Sequence, residues 1–136
     1  MIWYKVLFSL QGRINRKAFW TGIGFNFLFL FLLGFFIDTQ NLTIITVVPL
    51  FISIFSIGAV SVKRLHDRNR SGFNVFMLLF PVLCYVSSFG LEGKLAWGLG
   101  VVFPVFIITV LVMDLGVFQS SDENKYGKKS QSIIFK

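Results

Sequence analysis

Three polar stretches carry the residue types from which a site could be built. They are Gly12-Arg13-Ile14-Asn15-Arg16-Lys17-Ala18-Phe19-Trp20, then Lys63-Arg64-Leu65-His66-Asp67-Arg68-Asn69-Arg70-Ser71-Gly72-Phe73, then Asp122-Glu123-Asn124-Lys125-Tyr126-Gly127. His66 beside Asp67 invites a catalytic reading. Adjacent residues on a helix, however, point about 100° apart and do not form a dyad. A structural hydrogen bond is the plainer role for His66, with titration near neutral pH as its functional rival. Asp67 stands among Lys63, Arg64, Arg68 and Arg70, where it would neutralise one of them or close an Asx turn. Arg13 and Arg16, three apart, would share a face if the first helix reached back that far. That face would anchor topology, or its guanidinium forks would grip a phosphate or a partner's carboxylate. Ser71-Gly72 supplies a turn or cap.

Other chemistries lack their parts. Cys84 is the single cysteine, so neither an intrachain disulfide nor a multi-cysteine metal site is available. No recognisable nucleophile, metal set or phosphate loop accompanies His66. No catalytic residue, metal or cofactor is therefore expected.

The elements that must position these stretches are apolar. Of 136 residues, 55% are hydrophobic and 14% charged, with 18 Phe; an ordinary soluble domain is about a quarter charged. Four runs are long enough to cross about 30 Å of hydrocarbon: 19–37, 42–62, 73–91 and 95–115. Pro81 and Pro104 fall in the last two and read as kinks. Trp3, Val6, Leu7 and Leu10 recur at helical spacing, as in a short helix lying in the membrane interface. The first apolar run is too long for a cleavable signal peptide and lacks a small-residue cleavage site after it. The fold class is thus an all-α membrane protein, a four-helix transmembrane bundle preceded by an interfacial helix. Residues 1–118 form the membrane domain, and 119–136 a polar tail expected to be largely mobile.

Connections at 38–41, 63–72 and 92–94 are short enough to make successive helices antiparallel. Of the 13 basic residues, all but Lys94 fall in the N-terminal segment, the second loop or the tail, the last including Lys136. By the positive-inside rule these three segments are cytoplasmic, in a bacterial inner membrane. This distribution also accounts for the net charge of +7 without nucleic acid as a partner. Asp114 falls about 26 Å along the fourth helix from Trp97, near its inner end. Asn26, deeper in the first span, is suited to bonding across helices.

With this topology the three polar stretches converge on one side, and Arg13, Arg16, Arg64, His66, Asp67, Ser71, Asn124 and Tyr126 form the candidate binding cluster. The chain resembles the DUF805 family of small bacterial inner-membrane proteins over nearly its whole length. The resemblance is carried by Gly12-Arg13 with Arg16 and Phe19-Trp20, by Arg64-Leu65-His66-Asp67 with Ser71-Gly72, and by Asn124 with Tyr126-Gly127. This sequence departs from the family pattern at Phe73-Asn74, where an aromatic pair is common, at Asp122 in place of Gly, and at Lys128 in place of Pro. The resemblance implies no activity. The function expected is that of a non-enzymatic membrane interaction or scaffold protein, whose basic face meets anionic lipid headgroups, a membrane-protein partner or another copy of itself. A small oligomeric transporter or channel is the alternative, and an interfacial enzyme using His66 and Asp67 a third.

Overall fold

The computed structural model describes residues 1–38 and 40–135. Thr39, in the first loop, and Lys136, counted with the basic tail, lie outside the described residues. The chain is all helical: α1 Trp3–Phe8, α2 Arg16–Gly34, α3 Ile44–Asp67, α4 Gly72–Ser87 and α5 Gly93–Val117. Three of these, α2, α3 and α5, are long and apolar enough to cross a membrane; α4 is apolar but shorter. The chain is a multi-pass membrane protein.

The boundaries follow capping chemistry where hydropathy cannot. α2 begins earlier than the apolar run because the Asn15 side chain accepts from the Ala18 amide at 2.8 Å, leaving Arg16 and Lys17 in its first turn. α3 continues through the charged Lys63-Arg64-Leu65-His66-Asp67 and stops only at Arg68. There Asn69 takes a φ of +57°. The Asn69 amide bonds to the His66 carbonyl at 3.0 Å and the Arg70 amide to the Leu65 carbonyl at 2.8 Å. This is a Schellman stop, with asparagine in the left-handed position that glycine usually fills.

The two later helices are not uniformly wound. α4 opens with 3₁₀ turns over Gly72–Leu78, capped by Ser71, before becoming α-helical at Leu79 with Pro81 in its first turn. α5 carries π turns at Gly98–Val102, immediately before Pro104, and at Met113–Val117. Irregular winding therefore abuts both prolines flagged as kinks, as expected where a missing N–H interrupts the ladder. A third proline, Pro49, lies inside α3.

Packing is concentrated at one end. The buried apolar residues Val6, Ile14, Phe19, Val60, Leu65 and Leu115 lie where α1, the start of α2 and the ends of α3 and α5 meet. Toward the other end the apolar side chains face outward: Phe36 is 80% exposed and Ile45 83%. Water would make that surface costly, whereas lipid covers it. Between α2 and α3 the Asn26 amide donates to Ser56 Oγ at 3.0 Å and to the Gly22 carbonyl at 2.9 Å, with Asn26 and Ser56 both buried. This is the cross-helix bond expected of Asn26.

Candidate functional site

The three polar stretches do meet, and an ion pair lies at their centre. Asp67, in the last turn of α3, is fully buried and receives Arg13 on one carboxylate oxygen at 3.1 Å and Arg64 on the other. The Ser130 hydroxyl joins Arg13 on the first oxygen. Arg64 lies one turn before Asp67 on the same helix, whereas Arg13 precedes the cap of α2 and comes from a different part of the chain. Two guanidiniums on one carboxylate leave excess positive charge in a buried place. Backbone carbonyls offset it.

Each nitrogen of both guanidiniums is engaged. Arg13 donates to the carbonyls of Asp122 at 3.0 Å, Gly127 at 2.7 Å and Ser121 at 2.6 Å. Arg64 donates to the carbonyls of Leu115 at 2.5 Å and Phe118 at 2.7 Å and to Ser120 Oγ at 3.1 Å. The last carbonyls of α5 have no intrahelical partner and carry the negative end of the helix dipole. Arg64 takes Leu115, the Trp20 indole takes Gly116 at 3.0 Å, and Arg16 takes Val117 at 3.0 Å. Trp20 is thus a latch on α5. Gly116 admits it, because a Cβ there would stand 2.4 Å from the Trp20 ring.

Lys63 performs the same service for α1. Its ammonium is buried and donates to the carbonyls of Val6, of Lys5 at 2.6 Å and of Ser9 at 2.6 Å, where that helix ends. The sequence reading places Lys63 in a loop and gives it no role beyond topology. Continuing α3 to Asp67 would have put Lys63, Arg64 and Asp67 on adjoining positions of one helix, which is the signal that hydropathy conceals.

The tail is not loose. Its Ser121 amide bonds to the Asp67 carbonyl at 2.9 Å, and Gln131 and Ile134 pair in parallel with Ile14 and Ile2. The Asn124 side chain donates to the His66 carbonyl at 3.0 Å, and the Asn124–Gly127 turn is closed by backbone bonds in both directions. These bonds replace the mobility expected from composition.

The remaining candidates are placed as follows. His66 and Asp67 diverge, as their adjacency on a helix requires. The His66 ring stacks on Tyr126, 3.9 Å between centroids and 8° from parallel, while its Nδ1 faces the Gly12 carbonyl at 3.2 Å. Arg13 and Arg16 do not share a face, because Arg13 lies before the cap of α2: one reaches Asp67 and the other the end of α5. Ser71 caps α4 and stays at the surface, outside the ionic centre. Asp114 pairs with Arg70 at 2.5 Å and Arg68 at 3.4 Å. All five arginines of the chain are thereby bonded to protein. Lys5, Lys17, Lys128 and Lys129 are exposed and make no ion pair among the described residues.

Arg13, Arg64 and Asp67 fall within a matched segment, and Ser130 lies just beyond it. The profile of the family described as "Protein of unknown function (DUF805)" matches residues 7–128. The chain belongs to the DUF805 family. Two relatives, both named "Uncharacterized protein YiiR" and from Escherichia coli strains K12 and O157:H7, are each 37% identical over 134 residues, covering 96% of this chain and 91% of theirs. No solved structure matches. The Arg13, Arg64 and Asp67 clasp gives the sequence features of this DUF805 chain a physical role: they fasten helix ends.

Proposed function

We propose that the chain is a non-enzymatic, four-span scaffold of the bacterial inner membrane, both termini cytoplasmic, whose lysine rim meets anionic lipid or a membrane-protein partner. Four spans are supported by the winding of α4. Seven 3₁₀ residues followed by nine α-helical ones reach about 28 Å, close to the hydrocarbon thickness, despite the short count. The positive-inside bias supports the orientation.

The observation that carries the functional reading is the division between arginine and lysine. Arg13 and Arg64 turn inward and are used up on a carboxylate and carbonyls, and Arg16, Arg68 and Arg70 are tied to the end of α5 and the segment after it, for which the planar fork is suited; the exposed lysines keep a hydrated charge free. With every nitrogen of Arg13 and Arg64 occupied, the ionic centre makes a rigid platform and leaves no vacant anion hole at either guanidinium. Exposed lysines beside a bilayer each add about 1 kcal/mol of attraction to anionic headgroups. The divergence of His66 from Asp67 weighs against the enzyme reading. The interior space among α2, α3, α4 and α5 is about 190 Å³ and lined almost wholly by apolar side chains such as Phe27, Ile57 and Leu111, which offers little to a solute path.

The test is recovery of the full chain in native lipid discs, comparing wild type with a variant carrying Lys5→Gln, Lys17→Gln, Lys128→Gln and Lys129→Gln. The expected result is loss of enriched anionic lipid or of a co-purifying protein, with insertion and thermal stability retained. Identical companions in both samples would contradict the scaffold reading.

A further inference from the structure

A groove of about 620 Å³ runs between α3 and α4, and its two ends differ in chemistry. Along its length the lining is apolar, with Phe55, Phe73 and Phe76 among the walls and Gly58 and Ala59 on α3. A Cβ at Gly58 would meet no atom within 4 Å, so this position leaves space open. At the other end stand His66, Ser71 and Tyr126. Gly72 lets α4 start close against α3 there, since a Cβ would lie 3.0 Å from Val62 and 3.2 Å from His66 Nε2.

The hydrogen-bonding capacity left at that end is specific. A carbonyl only accepts, so the His66 Nδ1 contact with Gly12 assigns the proton to Nδ1 and leaves Nε2 as an acceptor. Ser71 Oγ accepts from the Phe73 amide at 3.4 Å and keeps its own proton to donate. Lys125 holds its ammonium 5.0 Å from the centre of the Tyr126 ring, which itself stacks on His66. Hydroxyl donors and one acceptor thus line this end of the apolar groove, and the Lys125 ammonium stands just outside the lining, over the Tyr126 ring.

We propose that this groove holds one anionic phospholipid with a hydroxylated headgroup, phosphatidylglycerol being the simplest. Its acyl chain lies along Phe55, Phe73 and Phe76. Its phosphate meets Lys125 and the hydroxyls of Ser71 and Tyr126, and a headgroup hydroxyl donates to His66 Nε2. The charge complementarity of Lys125 selects a lipid over an apolar helix as occupant, and the apolar length selects a lipid over a free phosphate. The proposal rests on the reading of the chain as a membrane scaffold and gives its lipid contact an address distinct from the lysine rim.

The test is native mass spectrometry of the full chain released from discs of equal phosphatidylglycerol and phosphatidylcholine, with thermal unfolding as a check on each variant. Wild type should carry one phosphatidylglycerol per chain. Gly58→Leu, which fills the open space, should lower that adduct more than about tenfold. Lys125→Gln should lower it about fivefold, shifting the remainder toward phosphatidylcholine. Retention by a folded Gly58→Leu chain equal to wild type would overturn the proposal. If the four rim substitutions then strip the lipid, the scaffold reading survives without the groove; if no variant changes bound lipid, the groove falls and the scaffold loses its lipid arm. A lipid-free dimer that dissociates on Gly58→Leu would assign the groove to a second copy and likewise overturn it.

Discussion

Arg13 and Asp67 are 54 positions apart and meet at 3.1 Å with side chains 2% and 0% exposed. Their contact ties the segment before α2 to the end of α3, and Ser121 and Ser130 bring the tail to the same point. Removing the carboxylate would leave Arg13 and Arg64 facing each other in a buried space. Asp67→Ala should therefore cost about 3–5 kcal/mol, read as a lowered unfolding midpoint in detergent. A midpoint equal to wild type would show that the pair is not holding this end together.

Gly116 and Trp20 should behave as a coupled pair. Gly116→Ala places a Cβ 2.4 Å from the indole, an overpacking expected to destabilise by about 1–3 kcal/mol. Trp20→Leu alone loses the bond to the Gly116 carbonyl, but combined with Gly116→Ala it removes the clash. A double-mutant cycle should be strongly non-additive; additive effects would mean that the two residues act separately.

The Asn26 to Ser56 bond should be modest in strength. In a membrane the unfolded reference also finds partners for polar groups, so Asn26→Leu is expected to cost about 0.6–1.7 kcal/mol. Reversible unfolding in mixed micelles measures it. A stabilised variant would show that Asn26 is retained for something other than packing.

Lys63 should govern α1 alone. Lys63→Met preserves the stem and removes the ammonium that serves the Lys5, Val6 and Ser9 carbonyls. Hydrogen exchange in Trp3–Phe8 should accelerate while α2 and the lipid-facing part of α3 keep wild-type rates. Unchanged exchange in α1 would remove Lys63 from its cap.

Much of this architecture is readable from residue order, for definite reasons. Apolar runs reveal helices that face lipid, and short connections between them force the polar stretches to one end, so the meeting of Arg13, Arg64, Asp67 and Asn124 follows from counting. Helix ends are a different matter. Hydropathy falls at Lys63, yet the backbone ladder ignores side-chain polarity and runs on until Asn69 turns left-handed. Reading Lys63 to Gly72 as a loop hides the face shared by Arg64 and Asp67. The tail misleads in the same way: serine and lysine suggest mobility, while many of its attachments run through backbone groups, as from Arg13 to the tail carbonyls and from the Ser121 and Gln131 amides, which composition does not record.

The clasp itself is tested most directly by hydrogen exchange of the tail amides in lipid discs. In the wild type Ser121, Gln131 and Ile134, whose amides bond to the carbonyls of Asp67, Arg13 and Met1, should exchange slowly, and in Asp67→Ala the Ser121 and Gln131 amides should approach the rate of an unstructured peptide. If these amides already exchange at the unstructured rate in the wild type, the tail is not fastened to the helix ends and the account of the polar cluster as a clasp is contradicted.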